Sequence, residues 1–149
     1  MAKTVLVAED EAMLRESLAE LLAEEGYQVL QAANGKAAYE MVLAQPVDLV
    51  LSDVRMPEMD GMELLQYLKR LAPETPVVML TAYGTVQSAV AAMRAGANDY
   101  LLKPVQFEDM LLRIQRAIES SEMARTRLVI TEQLAADSIF HNQIGRAHV

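Results

Sequence analysis

Short apolar runs alternate along this chain with longer segments in which apolar residues recur every three or four positions. Strands buried on both faces read as continuous apolar runs, so the short runs predict parallel strands and the longer segments predict helices between them. This alternation predicts an α/β fold in which helices doubly wind a five-stranded parallel sheet, with right-handed crossovers. The second strand is the most polar, which places it near an edge. The predicted strands are Val5–Ala8, Tyr27–Ala32, Asp48–Ser52, Val77–Leu80 and Asp99–Leu102.

The helical segments each show one apolar face and end at glycine or proline signals. They run from about Glu11 to Glu25, from Asn34-Gly35 to Pro46, over Met62–Leu71, from Val86 to Gly96 and onward from Phe107. The residues that define these faces are Leu14, Leu18, Leu21, Leu22, Leu64, Leu65, Leu68, Val86, Ala89, Val90, Met93, Met110, Leu111, Ile114 and Ile118.

Four of the predicted strands stop at a reactive or polar residue: Glu9-Asp10, Asp53, Thr81 and Lys103. Carboxyl ends of parallel strands share one edge of the sheet, where open α/β sheets bind ligands. Three carboxylates at that edge repel one another unless a cation intervenes, and ligand sets made only of oxygen suit a hard ion such as Mg²⁺. Three solvated loop acids would be the plain alternative, but that reading accounts poorly for all three lying at strand ends. The pattern favours a site for a metal and a phosphate.

Lys103 and Thr81 would complete such a site. A lysine after a strand is usually a surface residue, but Lys103 precedes Pro104, and a cis bond there would turn its ammonium towards the carboxylates, to pair with Asp53 or a phosphoryl group on it. Thr81 is either a plain strand-ending residue or a hydroxyl that donates to a phosphoryl oxygen. A nucleophile, a metal and such donors are the recurring parts of phosphoryl transfer.

Composition narrows the class of protein. The 149 residues carry 13 basic and 21 acidic side chains, for a net charge of −8. This balance argues against nucleic-acid binding by this segment, which would need basic patches. There are no cysteines, so no disulfide or thiolate site is expected. No apolar run approaches the roughly 20 residues that span a membrane, and no signal-peptide pattern is present, so the expected location is the cytoplasm.

Residues 119–136 contain good helix formers and neither glycine nor proline, but few apolar positions. One stripe, formed by Ile114, Ala117, Ser121, Ala124 and Leu128, is weak as a coiled-coil seam. The segment is therefore either a solvated helical linker or a helix that extends the core and packs on a second subunit. Residues 141–149 have no partner elements and resemble the opening of another unit.

Five motifs, in this order and at these separations, resemble the receiver domain of two-component response regulators. They are Val7-Ala8-Glu9-Asp10-Glu11, Leu51-Ser52-Asp53-Val54-Arg55-Met56-Pro57, Met59-Asp60-Gly61, Leu80-Thr81-Ala82 and Leu102-Lys103-Pro104. The resemblance covers about Thr4 to Ile118. It implies a flavodoxin-like fold with the strand order 2-1-3-4-5 and a C-terminal helical extension.

The resemblance also implies roles for the acidic residues. Asp53 matches the aspartate that accepts a phosphoryl group from a sensor histidine kinase. Asp10 matches the direct Mg²⁺ ligand, Glu9 the second acid acting through water, and the backbone carbonyl of Arg55 the third protein ligand. A dehalogenase-type phosphatase would need a second acid two residues after Asp53, where this chain has Arg55.

Three further residues match the family's switch. Thr81 corresponds to the hydroxyl that contacts the phosphoryl group, Lys103 to its lysine partner, and Tyr100 to the aromatic residue that changes rotamer when Thr81 moves. Tyr100 can equally be read as a half-buried strand aromatic. Tyr83 and Arg55 each lie two residues beyond a site residue, so we expect both to flank the phosphoryl group and slow its hydrolysis.

A finer resemblance is to receivers at the N-terminus of sigma-54-dependent, nitrogen-regulation-like transcriptional activators. It rests on residues 52–57 and 81–86 and on Ile144-Gly145-Arg146, which look like the first residues of an AAA+ ATPase domain. It implies a receiver over 1–118, a linker over 119–140 and the start of the ATPase over 141–149. It implies that the chain forms a homodimer. It also implies ATPase and DNA-binding domains in the same protein, through which sigma-54 RNA polymerase is contacted. A stand-alone receiver that binds another protein, and an interaction module without a working site, are the alternatives.

Overall fold

The computed structural model describes residues 2–126, and these form an α/β domain of five strands and five helices. The fifth helix, α5, covers 107–126. The other elements are β1 Thr4–Ala8, α1 Ala12–Glu24, β2 Gln28–Ala32, α2 Gly35–Ala44, β3 Leu49–Ser52, α3 Gly61–Leu71, β4 Val77–Thr81, α4 Val86–Arg94 and β5 Asp99–Leu102. None of the helices described is long and apolar enough to cross a bilayer.

All five strands are parallel, and their order is β2-β1-β3-β4-β5. The predicted doubly wound order and the edge position of β2 are therefore confirmed. Ala8 at the end of β1 pairs with Ser52 at the end of β3. Because the two strands end in register, the residues that follow them, Glu9 and Asp53, emerge side by side.

Two apolar cores lie on opposite faces of the sheet, because successive side chains on a strand point to opposite sides. On one face, Val5 and Val7 contact residues of α1 and α5, among them Leu22 and Ile114. On the other, Leu6 packs with residues of α2, α3 and α4. The predicted α3 face is confirmed, since Leu64, Leu65 and Leu68 are fully buried.

The apolar face predicted for α4 does not face the sheet. Val86, Val90 and Met93 are 81%, 43% and 48% exposed, and the buried residue of this helix is Ala92. Helix α4 contacts the edge strand β5, so a small residue suffices to seat it. Leu21 of α1 is likewise 37% exposed. Periodicity identifies a face of a helix, but the packing geometry decides whether that face is covered.

Helix α5 continues without a break past the predicted end of the domain at residue 118. Ile114 and Ala117 are buried in the domain's own core. Further along, the Ser121 hydroxyl donates to the backbone carbonyl of Glu74, and Glu122 forms an ion pair with Lys3. The first part of the predicted seam therefore packs on its own domain. The rest of the predicted linker and the predicted ATPase opening at 141–149 lie outside the described residues.

Candidate functional site

Three carboxylates meet at the carboxyl edge of the sheet, as predicted. Glu9, Asp10 and Asp53 each offer an oxygen atom, and these atoms lie within 4.8 Å of one another. Glu9 and Asp53 are almost fully buried at 3% and 6% exposure, whereas Asp10 is exposed. Two buried acids and one exposed acid, all with oxygen donors, form a set that suits a hard divalent cation.

Lys103 reaches into this cluster from the end of β5. Its Nζ lies 2.5 Å from Glu9 Oε1 and 3.0 Å from Asp53 Oδ2, and the Lys103–Pro104 bond is cis. The predicted pairing with Asp53 is confirmed. The still shorter contact with Glu9 was not predicted, and no local signal in the sequence distinguishes the two acids as partners.

Burial and pairing act against each other on these groups. Burial disfavours the charged carboxylate and raises the pKa of Glu9, and the neighbouring Asp53 charge adds to that increase. Hydrogen bonding from Lys103 opposes both effects. Burial by itself would lower the pKa of Lys103, but its hydrogen bonds to Glu9 and Asp53 outweigh burial and raise it. The lysine therefore stays charged, and it is a fixed positive charge beside the acids.

The β3–α3 loop (residues 53–60) holds the Asp53 side chain in place. Asp53 Oδ1 accepts hydrogen bonds from the backbone amides of Val54 (2.6 Å) and Arg55 (3.3 Å). The other oxygen, Oδ2, faces Lys103. Gly61 closes the loop by donating its amide to the Val54 carbonyl at 2.8 Å. Asp53 is thus a buried carboxylate with a fixed orientation.

Thr81 is the last residue of β4, the strand next to β3, and it is fully buried. Its Oγ1 accepts a hydrogen bond from the Tyr83 amide at 3.2 Å. The hydroxyl proton is not used in that bond, so it can be donated to another acceptor.

A model of the response regulator receiver domain matches residues 5–115 of this chain. The chain belongs to the response regulator receiver family. The match confirms the resemblance drawn from the five motifs. Among solved structures, a receiver domain protein from Methanospirillum hungatei superposes with a TM-score of 0.80 at 30% identity, covering 83% of this chain and 99% of that one. NtrX from Brucella abortus superposes with a TM-score of 0.81 at 32% identity, covering 87% of this chain and 30% of that one.

Curated relatives of this receiver are regulatory proteins. The transcriptional regulatory protein ZraR of Escherichia coli is 38% identical over 96% of this chain, which spans 31% of that protein. The response regulator protein PilR of Pseudomonas aeruginosa is 34% identical over 95% of this chain, and the match covers 33% of that protein. The receiver therefore covers about a third of the length of the curated relatives that it matches.

The Tyr100 side chain of the receiver lies half-buried against the first turn of α4. Its hydroxyl is 2.8 Å from Ser88 Oγ, and Ser88 also forms the capping box of that helix with Thr85. A methyl group on Gly84 would come within 3.0 Å of the Tyr100 ring. The description of Tyr100 as a half-buried strand aromatic is confirmed, and its role as a switch stays a prediction.

Arg55 and Tyr83 contact each other at the rim of the receiver's site. The Arg55 guanidinium carbon lies 4.3 Å from the centroid of the Tyr83 ring, and Tyr83 is 60% exposed. Their positions two residues after Asp53 and Thr81 predict that both flank the acceptor, but not that they stack on each other. Since neither residue type nor spacing marks such a pair, only the meeting of the β3–α3 loop with the chain after β4 reveals it.

Proposed function

We propose that this receiver accepts a phosphoryl group on Asp53 from the phosphohistidine of a sensor histidine kinase and thereby switches a downstream output. The observation that carries the proposal is the buried Asp53 carboxylate, which shares its surroundings with two other acids and with the Lys103 ammonium. Family membership supports the same reading.

The acids also fit a Mg²⁺ ion. Glu9, Asp10, Asp53 and the backbone carbonyl of Arg55 would hold it, and their chemistry is that of a hard-cation site. When bound, the ion supplies positive charge that offsets the carboxylates and the incoming phosphoryl oxygens.

In the transfer itself, a carboxylate oxygen of Asp53 forms a bond to phosphorus while the bond from phosphorus to the donor imidazole nitrogen breaks. The electron pair of that bond leaves with the imidazole. Lys103 balances charge on the phosphoryl oxygens through charge-assisted hydrogen bonds. The Thr81 hydroxyl supplies a second donor. Backbone amides of Val54 and Arg55 keep the acceptor oriented.

The conformational response to phosphorylation begins with movement of Thr81 towards the new phosphoryl group. A two-state element must then respond, and Tyr100 is suited to this role because its hydroxyl links β5 to the first turn of α4. Movement of Thr81 would release the Tyr100–Ser88 contact and shift the exposed face of α4.

Arg55 and Tyr83 modulate the lifetime of the phosphorylated state. Stacked at 4.3 Å, they form a cover beside Asp53 that hinders an attacking water molecule. A cation–π contact at an exposed position contributes about 0.5–1 kcal/mol, so its effect on hydrolysis of the acyl phosphate is expected to be small.

The downstream output is activation of sigma-54-dependent transcription. This part of the proposal rests on the resemblance of residues 52–57, 81–86 and 144–146 to such activators, and on relatives named as transcriptional regulators. The receiver would occupy 1–118, the linker 119–140 and the start of an AAA+ ATPase 141–149. A homodimer, a DNA-binding domain and sigma-54 RNA polymerase are the implied partners.

The test is intact mass spectrometry after incubation with Mg²⁺ and acetyl phosphate. We expect a gain of one phosphoryl group, about 80 Da for the acyl phosphate of an aspartate nucleophile, that requires Mg²⁺. Asp53→Asn should abolish it, while the matched variant Asp109→Asn, at an exposed position on α5, should retain it. A gain that persists in Asp53→Asn would place the acceptor elsewhere. Absence of any gain would leave a receiver that signals by binding alone.

A further inference from the structure

We propose that Gly35, at the start of α2, is a positioning residue that holds the β3–α3 loop in its phosphoryl-accepting shape. This inference rests on the proposed function of Asp53. Helix α2 contributes no side chain to the acidic cluster. Through Gly35, however, it would fix the loop whose backbone amides donate hydrogen bonds to Asp53.

Gly35 and Met59 are in direct backbone contact. The Gly35 amide donates to the Met59 carbonyl oxygen at 3.0 Å. A methyl group built on the Gly35 Cα would lie 2.1 Å from that oxygen and 2.8 Å from the Met59 carbonyl carbon. Both are backbone atoms, so they cannot yield by a rotamer change. Only a residue without a Cβ allows the backbone at position 35 to come this close to Met59, so the contact requires glycine.

The two ends of the β3–α3 loop meet at Gly61, the first residue of α3. A methyl group on Gly61 would lie 2.1 Å from the Asp53 carbonyl oxygen, and the Asp60 side chain caps α3 by accepting from the Glu63 amide at 2.9 Å. Between these points, Glu58 adopts a positive φ of 67°. With both ends fixed, displacement of Met59 must be absorbed by residues 54–58, which include the amides that orient Asp53.

Helix α2 is not free to move away instead. Ala38, one turn after Gly35, is fully buried in the core under this helix. The Asn34 side chain accepts from the Ala37 amide at 2.7 Å, which caps the helix at the same point. Because close-packed cores resist displacement, a clash at Gly35 is transmitted to the loop rather than relieved by the helix.

The experiment compares Gly35→Ala with Gly26→Ala. Gly26 has a φ of +96° and nothing within 4 Å of an added Cβ, so its replacement strains the backbone and lowers stability without touching the site. Each protein is titrated with Mg²⁺ while backbone amide shifts are followed by NMR, and its rate of phosphorylation by acetyl phosphate is measured well below its melting temperature.

We expect Gly35→Ala to weaken Mg²⁺ binding and to slow phosphorylation by up to about 100-fold, the effect of a displacement near 1 Å at a reacting group. Gly26→Ala should match the wild type in both. If the two variants are alike in Mg²⁺ affinity and rate, the positioning role is refuted. If the wild type itself accepts no phosphoryl group, the proposed function fails instead, and the Mg²⁺ titration still tests the coupling.

A measurement on the unaltered chain protects the test against a variant that does not fold. If α2 and the loop are coupled, Mg²⁺ must strengthen the Gly35–Met59 bond as that bond strengthens the site, because coupling is reciprocal. Hydrogen exchange at the Gly35 amide should therefore slow on adding Mg²⁺. Unchanged exchange there, with shifts at Val54 and Arg55 showing that Mg²⁺ is bound, would refute the proposal.

Discussion

Replacing Lys103 with methionine removes the cation between the buried carboxylates of Glu9 and Asp53, and it keeps an unbranched side chain in place. The folded protein would then hold two buried acids without their shared counter-ion. We expect this substitution to lower the free energy of unfolding in the absence of divalent cations.

Two arguments set the size of that loss. Carboxylate oxygens within 4.8 Å of each other repel by about 3.5 kcal/mol at an effective dielectric constant of about 20. Protonating an ordinary glutamate at neutral pH instead costs about 3.7 kcal/mol. Burial already raises the pKa of Glu9, which makes its protonation the easier outcome. The free energy of unfolding should therefore fall by about 2–3 kcal/mol.

Urea denaturation followed by circular dichroism measures this loss, first with EDTA and then with Mg²⁺. Since Mg²⁺ can replace the missing positive charge, it should stabilise Lys103→Met more than it stabilises the wild type. Lys36→Met, at an exposed position on α2, is the matched control and should change stability by less than about 0.5 kcal/mol. A loss below about 1 kcal/mol in EDTA, or equal stabilisation by Mg²⁺ in both proteins, would refute the reasoning.

Three further predictions follow from other contacts. Tyr83→Ala removes the stacking on Arg55, so loss of the acyl phosphate, followed by mass spectrometry, should accelerate about two- to fivefold; an unchanged rate would show that the pair is no cover. Tyr100→Phe removes the bond to Ser88 at 2.8 Å and should lower the free energy of unfolding by about 1 kcal/mol in urea, and an unaltered midpoint would contradict this. A chain ending at Thr126 keeps the packing of α5 and loses the remaining residues of the proposed linker. If those residues form the proposed homodimer, sedimentation should show a dimer for the full chain and a monomer for the shortened one; identical sedimentation would remove support for a dimerising helix.

The strands and the residues that end them could be predicted, because the apolar runs that mark them are local features of the sequence. A buried parallel strand needs a short continuous apolar run, and each run carries its own terminal residue into the site. The doubly wound topology then places Glu9, Asp53, Thr81 and Lys103 at one edge without any knowledge of side-chain packing. The chemistry of the acidic cluster follows from residue types alone.

Which face of a helix is buried, and what that face packs against, could not be predicted in the same way. The stripe on α4 has clear periodicity, yet Val86 is 81% exposed, because burial depends on how the helix is seated against the edge of the sheet. The stripe beginning at Ile114 and Ala117 packs on the domain's own core for the same reason. Periodicity describes a helix, whereas burial is a property of two packed surfaces.

The sequence by itself determined which elements form and which groups end the strands, because these depend on hydrophobic periodicity and on chain order. The order of the strands in the sheet came from the resemblance of five motifs to receiver domains. Only the tertiary structure decided that Lys103 contacts Glu9 more closely than Asp53, that Arg55 stacks on Tyr83, and that Gly35 abuts the Met59 carbonyl. Such contacts join loops far apart in the chain, and their distances are fixed by how helices pack and loops bend, which no local pattern encodes.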